Sequence, residues 1–157
     1  MLVTRHLSLV TVMLRLSARH LEEIERHAER EYPHECCGLL VGRMEDEGRT
    51  RVVVEIYPVS NAWEETGERS HRMLISPRDY MRAERLFSER GLGVVGDYHS
   101  HPDHPAVPSQ FDLEHAPWPT MSYIVVSVVQ GRAADLRSWE MDAERTRFEE
   151  EQVWKSD

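Results

Sequence analysis

A chain of 157 residues, 40% apolar and 30% charged, is long enough for one domain with one core and too apolar for intrinsic disorder. Its net charge of -9, with no cluster of Lys or Arg, speaks against a phosphate-backbone partner and against an anionic membrane surface, so neither nucleic acid nor a membrane is expected. Cys36 and Cys37 are adjacent, a spacing that disulfide geometry disfavours, which points to a reducing, cytoplasmic compartment.

The apolar stretch Leu7 to Leu14 contains Ser8 and Thr11 and ends at Arg15; it is too short to span a bilayer and has no clean cleavage site. Met13 offers an alternative start, with residues 1 to 12 an extension. Ser17 to Glu31 reads as a helix capped by Ser17, with Ala18, Leu21, Ile24 and Ala28 along one side, stopped at Tyr32-Pro33. Gly38 to Arg43 and Arg49 to Val59 read as strands, Asn61 to Ser70 as a polar loop, and His71 to Ile75 as a further strand. Ser76-Pro77-Arg78-Asp79 is a helix start, with Ser76 as cap, Pro77 in the first turn and Asp79 completing a capping box. Gly91 and Gly93 end that helix, and Val94 to His101 follows as a strand.

Pro102 to Pro108 holds three prolines and cannot be regular. Ser109 to Ala116 reads as a short helix, Ser122 to Val129 as a buried strand, and Ala134 to Met141 and Arg147 to Trp154 as final strands. Helices and strands interleave, so the expected fold is α/β (α+β): a mixed β-sheet flanked by helices, in a single domain over residues 1–157. Exposed edges of such a small sheet leave a homodimer open.

The chemistry concentrates in residues 98 to 112, YHSHPDHPAVPSQFD. His99 and His101 are two apart on a strand, so both imidazoles face one side and can reach one ion. The proline-stiffened loop can fold back to present Asp112, at the start of the next helix, to that same ion. Two nitrogens, one oxygen and an open position make a zinc site of the catalytic type, with one Zn2+ per chain. Peptide hydrolysis then needs a base to move a proton to the leaving amine; Glu35, at a tight apolar junction, is a candidate, although composition alone does not select it from so many glutamates.

Glu35, then His99-Ser-His101, seven intervening residues beginning with Pro102 before Ser109, and two more before Asp112 resembles the JAMM motif of MPN+ (Mov34/PAD-1) metallopeptidases. The resemblance to compact bacterial members spans about Ser17 to Val129, with HECCGLLVG, GDYHSHP and SYIVVSVV as supporting segments. It implies the MPN/JAMM-like fold, zinc on His99, His101 and Asp112, Glu35 as acid/base, and Ser109 stabilising the oxyanion through its hydroxyl. Ser100 stands at the family's Ser/Thr position between the ligands. It further implies a hydrolase acting on a ubiquitin-like sulfur-carrier protein, cutting after its C-terminal glycine where cysteine or a short extension follows. Relatives that cut ubiquitin chains carry gripping insertions; here the segments between motifs are short, apart from Asn61 to Ser70, which disfavours such a specialist.

Other residues take plainer readings. His34, His104 and His115 read as solvated, Cys36 and Cys37 as packing, and Glu149-Glu150-Glu151 as a solvated face. Trp118 could line a substrate groove or anchor a loop, and Ser109 with Asp112 also forms an ordinary capping box. The alternative function is a non-catalytic MPN-type scaffold, though such modules usually lose ligands. A cupin would need further ligands at other spacings, and an amidohydrolase barrel needs a longer chain.

Overall fold

The computed structural model describes residues 13 to 156; the reading of residues 1 to 12 as an extension lies outside them. The elements in chain order are β1 (Met13–Ser17), α1 (Ala18–Glu31), β2 (Cys37–Glu45), β3 (Thr50–Val59), α2 (Pro77–Phe87), β4 (Gly93–Pro102), α3 (Gln110–His115), β5 (Ser122–Val129), β6 (Arg132–Met141) and β7 (Phe148–Ser156). The strands form one mixed sheet in the order β1-β3-β2-β4-β5-β6-β7, closed into a barrel. β1 runs parallel to both β3 and β7, and β4 runs parallel to β5; the other neighbours are antiparallel. Among the described residues no helix is long and apolar enough to cross a membrane.

Alternation assigns the two faces of the sheet. Leu14 and Leu16 of β1, Leu40 of β2, Val53 of β3, Tyr98 of β4 and Ile124, Val126 and Val128 of β5 point inward and meet Ile24 and Ala28 on the buried face of α1. Cys37 and Leu39 point outward and pack with Ile75 and Ala83 under α2. Ala116, Met121, Tyr123 and Met141 make a smaller outer cluster beside α3. Gly42 and Gly38 are among the glycines that permit close approach: a Cβ on Gly42, at a ladder irregularity, would lie 1.8 Å from the Val52 carbonyl oxygen, and one on Gly38 would lie 2.3 Å from the Tyr98 ring.

One end of the interior is polar. Arg51 of β3 crosses the interior to the Thr120 carbonyl (3.1 Å), Ser122 Oγ (3.2 Å), Glu140 (3.1 Å) and Glu151 (3.3 Å), and the Ser138 hydroxyl donates to Glu151 (2.7 Å). Burial pushes the Glu151 carboxyl up to about 7, against the pull of Ser122, Ser138 and Arg51.

Most expected elements form. Ser17 caps α1: its Oγ accepts the His20 N–H at 3.1 Å and His20 Nδ1 accepts the Ser17 N–H at 3.2 Å. Several expectations need correction. Met13–Ser17 is a strand inserted between β3 and β7, although it continues the apolar stretch that reads as a rejected leader. His71 to Ile75 is not a strand, because its backbone is satisfied locally: Asn61 Nδ2 donates to the Arg72 carbonyl (2.9 Å), Asn61 Oδ1 accepts from Leu74 N–H (3.1 Å), and Ala62 N–H donates to the Leu74 carbonyl (2.9 Å). At α2, Ser76 Oγ accepts from Arg78 N–H (3.2 Å), and no reciprocal bond from Asp79 completes a box. Glu151 leaves the solvated acidic run for the interior. Barrel closure removes the open sheet edges on which the homodimer expectation stood.

Candidate metal centre and active site

β4 carries Asp97, His99 and His101 on its outer face, at the end where β4 runs parallel to β5. The chain then turns through the prolines into α3. There Ser109 Oγ accepts the Asp112 N–H at 3.1 Å and Asp112 Oδ2 accepts the Ser109 N–H at 2.8 Å. This capping box holds Asp112 over the two imidazoles. His99 Nε2 lies 3.1 Å from His101 Nε2, and Asp112 Oδ2 lies 3.2 Å from His99 Nε2 and 3.1 Å from His101 Nε2. Glu35 stands just beyond, its Oε1 3.8 Å from His101 Nε2. All five expected site residues, Glu35, His99, His101, Ser109 and Asp112, therefore meet in one place.

Two donor sets share the imidazoles. Donor atoms of Glu35, His99 and His101 lie within 4.8 Å of one another. The Asp112 triangle is the tighter, with sides of 3.1 to 3.2 Å. Zinc bonds of about 2.0 to 2.1 Å in tetrahedral array put ligand atoms about 3.3 Å apart. The Asp112 triangle has the spacing of three tetrahedral ligands, and Glu35 Oε1 stands farther out, 3.8 Å from His101 Nε2. The outer atoms agree. His101 Nδ1 lies 2.9 Å from the Pro105 carbonyl, so it carries the proton and leaves Nε2 its lone pair. His99 Nδ1 and Asp97 Oδ1, two residues apart on one face, are each buried without a hydrogen-bond partner.

Burial dominates the electrostatics. The Glu35 carboxyl is pushed up to about 7 by desolvation, although His99, His101 and Arg72 pull it down, and its Oε2 is buried without a partner. Desolvation also pushes Asp97 up to about 7, while the Tyr80 hydroxyl donates to its Oδ2 at 3.1 Å. At Asp112 burial raises the pKa, but His99 and His101 outweigh it and hold the carboxylate ionised. Burial pushes the Cys36 thiol up to about 12 and Cys37 higher still, so both cysteines pack as expected and neither supplies a thiolate.

Glu35 is held by its neighbours. The Ser100 hydroxyl accepts the Cys36 N–H at 2.8 Å, Ser100 N–H donates to the Cys36 carbonyl at 3.2 Å, and Glu35 N–H donates to the Arg69 carbonyl at 2.7 Å. Asn61 Nδ2, which holds the Arg72 carbonyl, also reaches the Glu35 carbonyl at 3.4 Å. Ser100 is marked in the sequence by its motif position between the two histidines, but its role is not; Arg69, Asn61, Asp97, Tyr80 and Arg72 escape the sequence reading. His34 and His104 are exposed as expected, and His115 stacks on Phe111 with ring centroids 3.9 Å apart. A cleft of about 470 Å³ adjoins His99 and Asp112, walled by Met73, Ile75, Tyr80, Phe111, Trp118 and Phe148, so Trp118 lines a groove.

Residues 17–142 match the family described as prokaryotic homologs of the JAB domain. The chain is 32% identical over 118 residues to the desampylase of Haloferax volcanii, covering 73% of this chain and 80% of that one. It is also 32% identical over 114 residues to the CysO-cysteine peptidase of Mycobacterium tuberculosis, covering 72% of each. It is 34% identical over 98 residues to a probable TtuB-protein conjugate cleaving protease of Thermus thermophilus, covering 62% and 60%. Among solved structures, a Desulfitobacterium hafniense protein superposes with a TM-score of 0.79 at 28% identity, over 92% of this chain and 94% of that one. A JAB1/MPN domain protein from Archaeoglobus fulgidus shares the fold, with a TM-score of 0.53 at 18% identity over 92% and 98%. The motif, the barrel that holds it and these likenesses agree: the chain belongs to the prokaryotic branch of the JAB/MPN family.

Proposed function

We propose that this protein is a zinc-dependent peptidase that cuts after the C-terminal glycine of a ubiquitin-like carrier protein. The observation that carries this reading is the triangle of His99 Nε2, His101 Nε2 and Asp112 Oδ2, 3.1 to 3.2 Å on a side, with Glu35 Oε1 3.8 Å from His101. The names of the relatives from Haloferax, Thermus and Mycobacterium support the substrate class.

His99, His101 and Asp112 would hold the metal, which supplies a Lewis acid for the scissile carbonyl and a water acidified toward neutrality. Glu35 takes one proton from the attacking water and delivers it to the leaving nitrogen. Its high pKa suits both halves of that transfer. The Ser109 Oγ accepts the Asp112 N–H, which leaves its own O–H to donate to the oxyanion. The cleft beside His99 and Asp112 offers apolar walls to the side chains of the carrier's tail. A non-catalytic scaffold would have no use for a buried carboxyl with an unpartnered oxygen beside the triangle.

The test joins zinc stoichiometry to cleavage of a ubiquitin-like carrier ending in Gly-Gly-Cys. Wild type should hold one zinc per chain and release the terminal residue. Glu35→Gln should keep zinc and lose turnover by at least a hundredfold, in the range general acid–base catalysis supplies. Asp112→Ala should lose zinc. A wild-type protein without zinc, or a fully active Glu35→Gln, would sink the reading.

A further inference from the structure

Arg72 is a half-buried cation that the mechanism above leaves unused. Its guanidinium carbon sits 4.3 Å from the centroid of the Phe111 ring, one residue before Asp112. Its backbone is tied to that of Glu35 through one side chain, since Asn61 Nδ2 donates to both carbonyls. Among the described residues its guanidinium forms no ion pair and donates one hydrogen bond, to the neighbouring His71 carbonyl at 3.0 Å. In a chain of net charge -9, an arginine with most of its donors unused beside an acidic site has the charge and the geometry to receive an anion.

The chemistry of the cut says which anion. Hydrolysis joins the water oxygen to the carbonyl carbon and breaks the C–N bond. One water proton passes through Glu35 to the nitrogen that leaves; the other ends on the new carboxyl, which ionises. The leaving nitrogen must therefore lie within about 3 Å of Glu35. When the leaving group is a terminal amino acid, its α-carboxylate is two bonds from that nitrogen. When it is a lysine side chain, the α-carbon is several bonds further off and its carboxyl is consumed in the next peptide bond.

Resting on the peptidase reading, we propose that Arg72, stacked on Phe111 and tied beside Glu35, binds the free α-carboxylate of the leaving residue. The site thereby favours a linear tail with one residue after the scissile glycine over a branched isopeptide. A guanidinium fork takes a carboxylate through two parallel hydrogen bonds, and the Phe111 face holds the fork in plane before substrate arrives.

The test uses one fluorescent tail peptide ending in Gly-Gly-Cys, made as the C-terminal acid and as the carboxamide, with zinc-loaded full-length protein. Wild type should cleave the acid about tenfold to a hundredfold more efficiently in kcat/KM. In Arg72→Met, which keeps the length of the side chain, that ratio should fall to about one, while Arg72→Lys keeps part of it. A wild-type ratio near one, or a ratio that Arg72→Met leaves high, overturns the proposal. The same two peptides are titrated by anisotropy against Glu35→Gln and against Glu35→Gln/Arg72→Met. Acid favoured over amide only where Arg72 is present upholds Arg72, even if wild type cleaves nothing and the peptidase reading falls. Equal binding of acid and amide to Glu35→Gln overturns Arg72 whatever the turnover.

Discussion

Replacing Ser100 by alanine isolates the contact that fixes the distance from Glu35 to the histidines. Ser100 is 0% exposed and Cys36 2%, so the Cys36 N–H, which donates to the serine oxygen at 2.8 Å, has no water to turn to. A buried donor left without a partner costs about 1 to 3 kcal/mol. In a domain of this size that lowers Tm by roughly 2 to 12 °C. The second bond of the pair, Ser100 N–H to the Cys36 carbonyl, and the Glu35 N–H bond to Arg69 remain, so the protein should stay folded. Glu35 gains freedom at its C-terminal side, and an ångström of misplacement costs about a hundredfold in rate. Three measurements follow from one variant: thermal unfolding, zinc content and kcat on the Gly-Gly-Cys carrier. Lower Tm and kcat with zinc retained is the expected set. An alanine variant with the parent's Tm and kcat would show that the serine oxygen positions nothing.

Asp97→Asn should weaken zinc about 10- to 100-fold without unfolding the chain, because it removes a buried negative charge two residues from His99 on the same face of β4; competition with a chelating dye reads this directly, and an unchanged affinity would remove Asp97 from the metal's surroundings. Glu151 titrates near 7 when folded against 4.5 ordinarily, so the folded state binds its proton more tightly. Its contribution to stability is present below pH 4.5 and is lost as pH rises toward 7. Denaturant unfolding across that window should show wild type losing up to roughly 3 kcal/mol more than Glu151→Gln, and parallel curves would refute the raised pKa.

The site was legible where it carries its own spacing. His99 and His101 share a face because strands alternate, and Ser109 with Asp112 is a helix cap whatever else it does, so chain-local rules reach both. Ser17 and Ser76 mark helix starts for the same reason. Glu35 was legible only through the resemblance; among so many carboxylates nothing local sets it apart. The misses are non-local. A five-residue strand such as β1 carries too little alternation to separate it from the apolar stretch before it, and its identity comes from β3 and β7 on either side. Glu151 reads as one of three solvated glutamates until Arg51, 100 residues away, is opposite it. His71 to Ile75 has the composition of a strand, but one asparagine side chain takes the bonds a neighbour would need.

The Arg51 cluster bears on how long the molecule stays folded. Its four bonds span 69, 71, 89 and 100 residues, so they can close only after β5, β6 and β7 have all arrived beside a strand made early in the chain. Contacts of that span bear a large loop-closure cost and depend on the rest of the sheet being in place. Buried ion pairs add little to equilibrium stability compared with apolar packing. Interactions that form after the rate-limiting barrier slow unfolding and leave folding speed alone. The polar end of the barrel is thus expected to act as a kinetic latch, so Arg51→Met should unfold faster in denaturant jumps while folding at the parent's rate, and an unchanged unfolding rate would refute it.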